Sequence, residues 1–199
     1  MITVIDYHLN NLRSIHNTLS RLGHDARITS DPKDVETADK LILPGVGAFP
    51  DAMGNLQDLG LAQPIIEKVS GGTPMLGICL GMHLLFDKSE EFGENKGLGL
   101  IKGVIRRLPD GVHIPHMGWN QLHHRRGDRI LDGVVEGSFV YFVHSYCASI
   151  DDGDAVIAVT DYGINFPSVV GSGNVWATQF HPEKSQSVGE RILDNFLRL

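Results

Sequence analysis

Cys79 stands in the run Gly77-Ile78-Cys79-Leu80-Gly81, a nucleophilic side chain flanked at two residues' distance by glycines. An apolar stretch at 74–78 precedes it, and an apolar pattern of helical period covers 80–86. This context predicts a sharp strand-to-helix turn that lifts side chain 79 over the carboxyl end of a sheet, where open α/β sheets build their sites. A helix beginning at residue 80 would aim its first N–H groups and its positive dipole end at the sulfur. Such surroundings favour thiolate, the nucleophilic form, and make the Leu80 N–H a candidate oxyanion donor. The competing reading is a small buried hydrophobe, the common fate of a free cysteine. Cys147, directly after Tyr141-Phe142-Val143-His144-Ser145-Tyr146, is read that way.

A reactive thiol needs a base, and His181-Pro182-Glu183 follows directly on a candidate strand at 175–180. Pro182 biases His181 towards an extended conformation, and an extended chain projects residues 181 and 183 to one side. Glu183 could then hold the imidazole tautomer and stabilise its cation, giving a Cys–His–Glu triad. Taken alone, the tripeptide reads better as a sheet-capping histidine beside a surface glutamate; joined to the Cys79 turn, it reads as the base and its orienter. His113, His116, His123 and His124 lack the i,i+4 spacing of a zinc motif and have no cysteine pair beside them. Neither a metal nor a cofactor is expected.

The elements that must position these groups alternate through the first half. Strands are predicted at Ile2–Ile5, Ala26–Thr29, 41–43 and 74–78, with helical spacing at Leu12, Ile15, Leu19 and Leu22 and two helical stretches over 51–69. Asp31-Pro32 reads as a helix cap with proline in the first turn. The second half offers strands at 99–108, 119–122, 139–148 and 155–160. A hairpin of 168–170 with 175–180 follows, turning through Gly171-Ser172-Gly173-Asn174. A closing helix carries the stripe Val188, Ile192, Leu193, Phe196 and Leu197. Strands and helices joined by such short links predict one α/β domain, residues 1–199, with a mixed but mostly parallel sheet covered on both faces.

Composition narrows the partners. A net charge of −7 argues against a nucleic-acid surface. The basic run His123-His124-Arg125-Arg126 is followed by Asp128 and Asp132 and reads as a solvated loop. No apolar run reaches the ~20 residues of a membrane span, and Met1 leads straight into an apolar strand without the marks of a signal peptide. Two cysteines make no disulfide framework, so a reduced, cytoplasmic setting is expected.

With these residues in view, the sequence resembles the class I, triad-type glutamine amidotransferases. Within them it is similar to the glutaminase subunits of imidazole glycerol phosphate synthases. The resemblance is carried by Pro44-Gly45-Val46-Gly47, the run from Gly77 to Met82, Pro115-His116-Met117-Gly118-Trp119-Asn120, the run from Tyr141 to Tyr146, and that from Gln179 to Ser185. It implies that Cys79 attacks the glutamine carboxamide, that His181 passes a proton to the leaving ammonia, that Glu183 orients His181, and that water hydrolyses the thioester. It assigns Val46, Gly47 and Leu80 to the oxyanion hole, a backbone N–H of the Pro44–Gly47 loop swinging into place in the active state. Gly47, His83, His144, Ser145 and Tyr146 are assigned to glutamine. It also implies a heterodimer with a (β/α)8-barrel cyclase subunit, contacted by Asn11, Trp119, Asn120, Tyr141 and Lys184; a core aromatic is the other reading of Trp119. Ammonia would cross that barrel to a phosphoribulosyl intermediate, giving imidazole glycerol phosphate and an aminoimidazole carboxamide ribotide.

Two positions depart from that pattern. His83 stands where the family carries glutamine, and an imidazole cannot donate and accept together as an amide does; the other reading is a residue on the first helical turn that does not touch substrate. The family start D-Y-G-x-G-N-L is here Asp6-Tyr7-His8-Leu9-Asn10-Asn11-Leu12, and losing two glycines predicts a different loop backbone. These departures keep open a paralogous glutaminase for another pathway, such as surface-sugar amidation. A non-catalytic binding subunit and a stand-alone thiol hydrolase are disfavoured, the first by the complete triad and the second by the Pro115–Asn120 segment.

Overall fold

The computed structural model describes residues 1–9, 11–150 and 153–199. The first half runs β1 (Ile2–Ile5), α1 (Leu12–Arg21), β2 (Ala26–Thr29), α2 (Pro32–Glu36), β3 (Lys40–Gly45), α3 (Phe49–Asp58), α4 (Ala62–Ser70), β4 (Met75–Cys79) and α5 (Leu80–Leu84). The second half adds β5 (Phe86–Ser89), β6 (Asn95–Lys96), β7 (Ile101–Arg107), β8 (His116–Gln121), β9 (His123–His124), β10 (Phe139–His144) and β11 (Tyr146–Ser149). It ends with β12 (Val156–Asp161), β13 (Asn165–Ser172), β14 (Val175–Thr178) and α6 (Gln186–Arg198).

The main sheet has the order β2-β1-β3-β4-β14-β13-β12-β9. Its first five strands are parallel and the last three antiparallel, so the expected mixed, mostly parallel sheet is present. Inner strands are covered on both sides, which is why β4 is buried at every residue and β3 at all but Lys40. Ile5, Leu41, Leu43 and Phe49 pack in one apolar cluster, and Val4, Ile42, Leu76 and Phe196 in another. Alternate side chains of one strand thus enter different cores. Asp31 accepts from the Lys33 N–H at the start of α2, the predicted cap.

Four expectations change. The apolar run 139–148 is two strands: β10 pairs with β8, and after Ser145 the chain crosses to pair β11 with β7. The change of partner falls at the polar pair His144-Ser145, too short an interruption between the apolar segments 139–143 and 146–148 to separate two strands by periodicity. The helix after Cys79 ends at Leu84, because the Leu85 carbonyl accepts from the N–H groups of Leu100 and Ile101 and draws Phe86 into β5. His123 and His124 form an edge strand against β12 rather than a loop, and Arg126 pairs with Asp128 at 2.8 Å. His8, at φ 70°, occupies the left-handed region open to glycine, so at that position the loop keeps a glycine-type conformation. Asn10 lies outside the described residues.

Candidate active site

β4 and β14 are parallel neighbours, with Ile78 opposite Thr178. Side chains at or just past their carboxyl ends must therefore converge, and those are Cys79, the last residue of β4, and His181, three residues beyond β14. Cys79 sits at φ 54°, ψ −110°, a strained conformation for a residue with a Cβ. The flanking glycines explain how the turn closes. A Cβ on Gly81 would run into the Leu43 carbonyl of β3, and one on Gly77 would meet Gly81 O at 2.9 Å. α5 lies against the sheet backbone because both positions lack that atom.

His181 Nδ1 and Glu183 Oε1 are 2.8 Å apart, both side chains only 2% exposed. The contact is made as expected, but by another route. His181 is extended, whereas Pro182–Lys184 forms a 3-10 turn that folds Glu183 back beneath the ring. The turn is pinned from the side, since the His181 N–H donates to Tyr141 O at 2.9 Å. Ser185 completes the brace, its hydroxyl donating to His181 O at 2.7 Å and accepting from the Tyr141 N–H at 3.0 Å. Burial by itself would lower the imidazole pKa, but the Cys79 sulfur and the Glu183 carboxylate reverse this and raise it to about 10. Nε2 is buried with no well-aligned hydrogen-bond partner among the described residues. The Cys79 thiol is turned instead towards Val143 O, at 3.8 Å. A thiol beside an imidazole whose cation is stabilised in this way, with an ordered carboxylate behind, can carry out acyl transfer once the sulfur leaves Val143 O.

A cavity of about 270 Å³ opens above Cys79. Every residue assigned above to substrate or oxyanion reaches its lining: Val46, Gly47, Leu80, His83, His144, Ser145 and Tyr146. Gly47 has φ 104°, which permits the tight turn there. The Val46 N–H, however, donates to Leu9 O at 2.9 Å and is not offered to the cavity in this conformation. His83 is buried, its Nε2 2.8 Å from Gln179 Oε1, and burial lowers its pKa to about 4 despite that bond. It is therefore a neutral ring at physiological pH.

Glu91 also lines the cavity and escaped the sequence reading. It is almost wholly buried, and Oε2 accepts from the Phe49 N–H at 3.0 Å. Burial raises its pKa, against the pull of that bond. It lies in a loop without periodicity or a known motif, so only the fold reveals its position. Tyr7 was likewise missed; its buried hydroxyl sits beneath Gly45 and is without a partner among the described residues.

A larger groove, about 600 Å³, lies beside Arg106, Arg107 and Arg125. Its only thiol is Cys147, whose pKa burial raises to about 11, fitting the inert role expected for it. Among the described residues no group of three or more His, Cys, Asp or Glu side chains could hold a metal ion, and no helix is long and apolar enough to cross a membrane.

Of the residues assigned to a partner, Trp119, Tyr141 and Lys184 come together. The two rings meet edge to face at 5.9 Å, and Lys184 Nζ lies 5.8 Å from the Tyr141 ring centre. Trp119 is 46% exposed, not a core residue. Asn120 points to the opposite side of β8, bonding Asp161 O at 2.9 Å. Asn11 precedes α1 and accepts from the Ser14 hydroxyl at 3.1 Å.

Comparison with known proteins gives the family. The model of the family described as glutamine amidotransferase class-I matches residues 3–199. The chain is 47% identical over 196 residues to an imidazole glycerol phosphate synthase subunit HisH of Desulfitobacterium hafniense, covering 98% of this chain and 93% of the relative. It is 52% identical over 202 residues to the HisH subunit of a Geobacillus species, covering 98% and 95%. A crystal structure of a glutamine amidotransferase superposes with a TM-score of 0.80 at 22% identity, covering 100% of this chain and 98% of that one. The PurLQS structure from Thermotoga maritima gives 0.77 at 19% identity, covering 99% and 97%, which speaks to fold alone.

Proposed function

This chain belongs to the class-I glutamine amidotransferases, and from that premise we propose how it works. It is the glutaminase subunit of an imidazole glycerol phosphate synthase, a role carried by near-full-length relatives at 47% and 52% identity. A paralogous role in surface-sugar amidation is not favoured by these relatives. The chain acts as one domain, residues 1–199, in the cytoplasm.

Cys79 thiolate attacks the carboxamide carbon of glutamine, forming a C–S bond and a tetrahedral oxyanion. The Leu80 N–H, first in its helix and without an i−4 partner, is one donor to that oxygen. The second comes from the Val46–Gly47 loop, once the Val46 N–H leaves Leu9 O. His181 then gives its Nε2 proton to the departing nitrogen, the C–N bond breaks, and ammonia leaves behind a glutamyl thioester. Water, deprotonated by His181, attacks that thioester and releases glutamate and the thiol. Glu183 keeps Nδ1 protonated throughout and offsets the imidazolium charge. Glu91 is the one buried carboxylate lining the cavity among the described residues and meets the α-ammonium of glutamine; neutral His83 supplies a single hydrogen bond beside it.

Ammonia passes to a (β/α)8-barrel cyclase subunit, which contacts this chain through the Trp119, Tyr141 and Lys184 patch. The observation that carries the reading is the enclosed His181–Glu183 pair beside a cysteine on a strained turn. Replacing the nucleophile tests it directly. Cys79→Ala should abolish glutamine-dependent synthesis in the complex while partner binding, read by calorimetry, is unchanged. Full glutamine-dependent turnover in that variant would sink the mechanism.

A further inference from the structure

His116 is buried outside the catalytic trio, yet its ring is held on every side. Tyr162 and Phe142 stack on its two faces at centroid distances of 3.9 and 4.8 Å. Its Nδ1 lies 2.9 Å from His144 Nε2, and its Nε2 lies 3.4 Å from Asn120 Nδ2, a longer and weaker contact. His144 in turn places Nδ1 2.8 Å from Tyr146 O.

Hydrogen-bond polarity along this chain is fixed independently from both ends. The Tyr146 carbonyl can only accept, so His144 Nδ1 carries a proton and its Nε2 is the acceptor. His116 Nδ1 must then be the donor, which leaves His116 Nε2 as an acceptor. At the far end, the Asn120 amide is oriented by two backbone groups: Oδ1 accepts from the Gln121 N–H at 2.8 Å and Nδ2 donates to Asp161 O at 2.9 Å. Its Nδ2 therefore donates to His116 Nε2 as well, the polarity the first end requires. Both rings are Nδ1–H tautomers, and desolvation keeps both neutral.

The near end of this chain is the place where the backbone leaves β10 for β11, and Ser145 and Tyr146 line the cavity above Cys79. We infer that His116 is a positioning residue for glutamine hydrolysis: its Nδ1–H fixes the His144 ring, which in turn holds the Tyr146 carbonyl and the Ser145–Tyr146 backbone against the substrate. It touches neither substrate nor sulfur and acts wholly through His144. The inference rests on the cavity being the glutamine site.

Two substitutions separate hydrogen bonding from packing. His116→Phe keeps an aromatic ring between Tyr162 and Phe142 but removes the donor to His144. His116→Asn removes the ring but keeps an amide donor near the Nδ1 position. In the complex with the cyclase subunit, His116→Phe should raise KM for glutamine about tenfold, as expected when a buried acceptor loses its donor, with kcat changed less than about threefold. His116→Asn should melt lower than His116→Phe yet keep KM nearer the unsubstituted value. An unchanged KM in His116→Phe, or KM values that follow the melting temperatures, overturns the inference. So does nitrogen-15 NMR of the unsubstituted protein if either ring is an Nε2–H tautomer, a readout that needs no variant to fold. Absence of glutamine turnover in the unsubstituted complex would instead overturn the functional reading, and this inference with it.

Discussion

The charge on His181 is set by a contest between burial, which disfavours the imidazolium, and two partners that favour it, the Cys79 sulfur first and Glu183 second. The partners win, and the folded-state pKa of about 10 lies above the ordinary value near 6.5. A raised pKa means that the imidazolium stabilises the fold fully below about 6.5, and that this contribution is lost as pH rises through about 10. Removing the sulfur leaves burial opposed by Glu183 alone. In Cys79→Ala the His181 pKa should therefore fall, measured by nitrogen-15 NMR titration; an unchanged value would mean that the sulfur is not its partner. Glu183→Gln tests the other side. The amide keeps the size of the side chain but loses the charge that fixes the Nδ1 proton, so kcat for glutamine should drop by about a hundredfold or more with little change in KM. A wild-type kcat would reduce Glu183 to a packing role.

The strand-to-helix turn is the element on which the chemistry stands, and its tolerance is small. Gly81 lies so close to β3 that an added methyl would penetrate the Leu43 carbonyl, a backbone atom fixed in the sheet. Gly81→Ala must lift α5 away, costing about 1–3 kcal/mol by the usual scale of overpacking and displacing Cys79 from His181. Thermal melting and glutamine turnover should both fall; retention of both would show that the turn can give. This turn was legible in the sequence because it is local: strand, glycine-spaced nucleophile and helix lie within a dozen residues. The His181–Glu183 pair was legible for the same reason, though its 3-10 geometry was not, since local preference at Pro182 suggested extension. Glu91 was not legible at all, because Phe49 and the cavity that give it meaning lie far away in sequence. The break at Ser145 was hidden too, for only the polar pair His144-Ser145 separates two apolar segments that serve different sheets.

On the scale of the whole molecule, β8 connects an exposed face to the active-site cavity. Its alternation sends His116 and Asn120 inwards, to the chain that ends at Tyr146, and Met117 and Trp119 outwards. Phe139 on the paired strand β10 is also exposed, so two adjacent strands present large apolar side chains to solvent beside the Lys184–Tyr141 contact. A surface of this kind, on a chain of net charge −7, fits a protein partner and not a polyanion. Tryptophan near the centre of such a patch is the residue type that most often dominates binding energy. Trp119→Ala should therefore weaken binding to the cyclase subunit by about 2 kcal/mol, roughly thirtyfold in Kd. The melting temperature of the isolated chain should barely move, because the side chain is 46% exposed and most surface changes cost under about 0.5 kcal/mol. Calorimetric titration with the cyclase and a melt of the free chain separate the two quantities. An unchanged Kd would remove this face from the interface, and a large loss of stability would make Trp119 a structural residue instead.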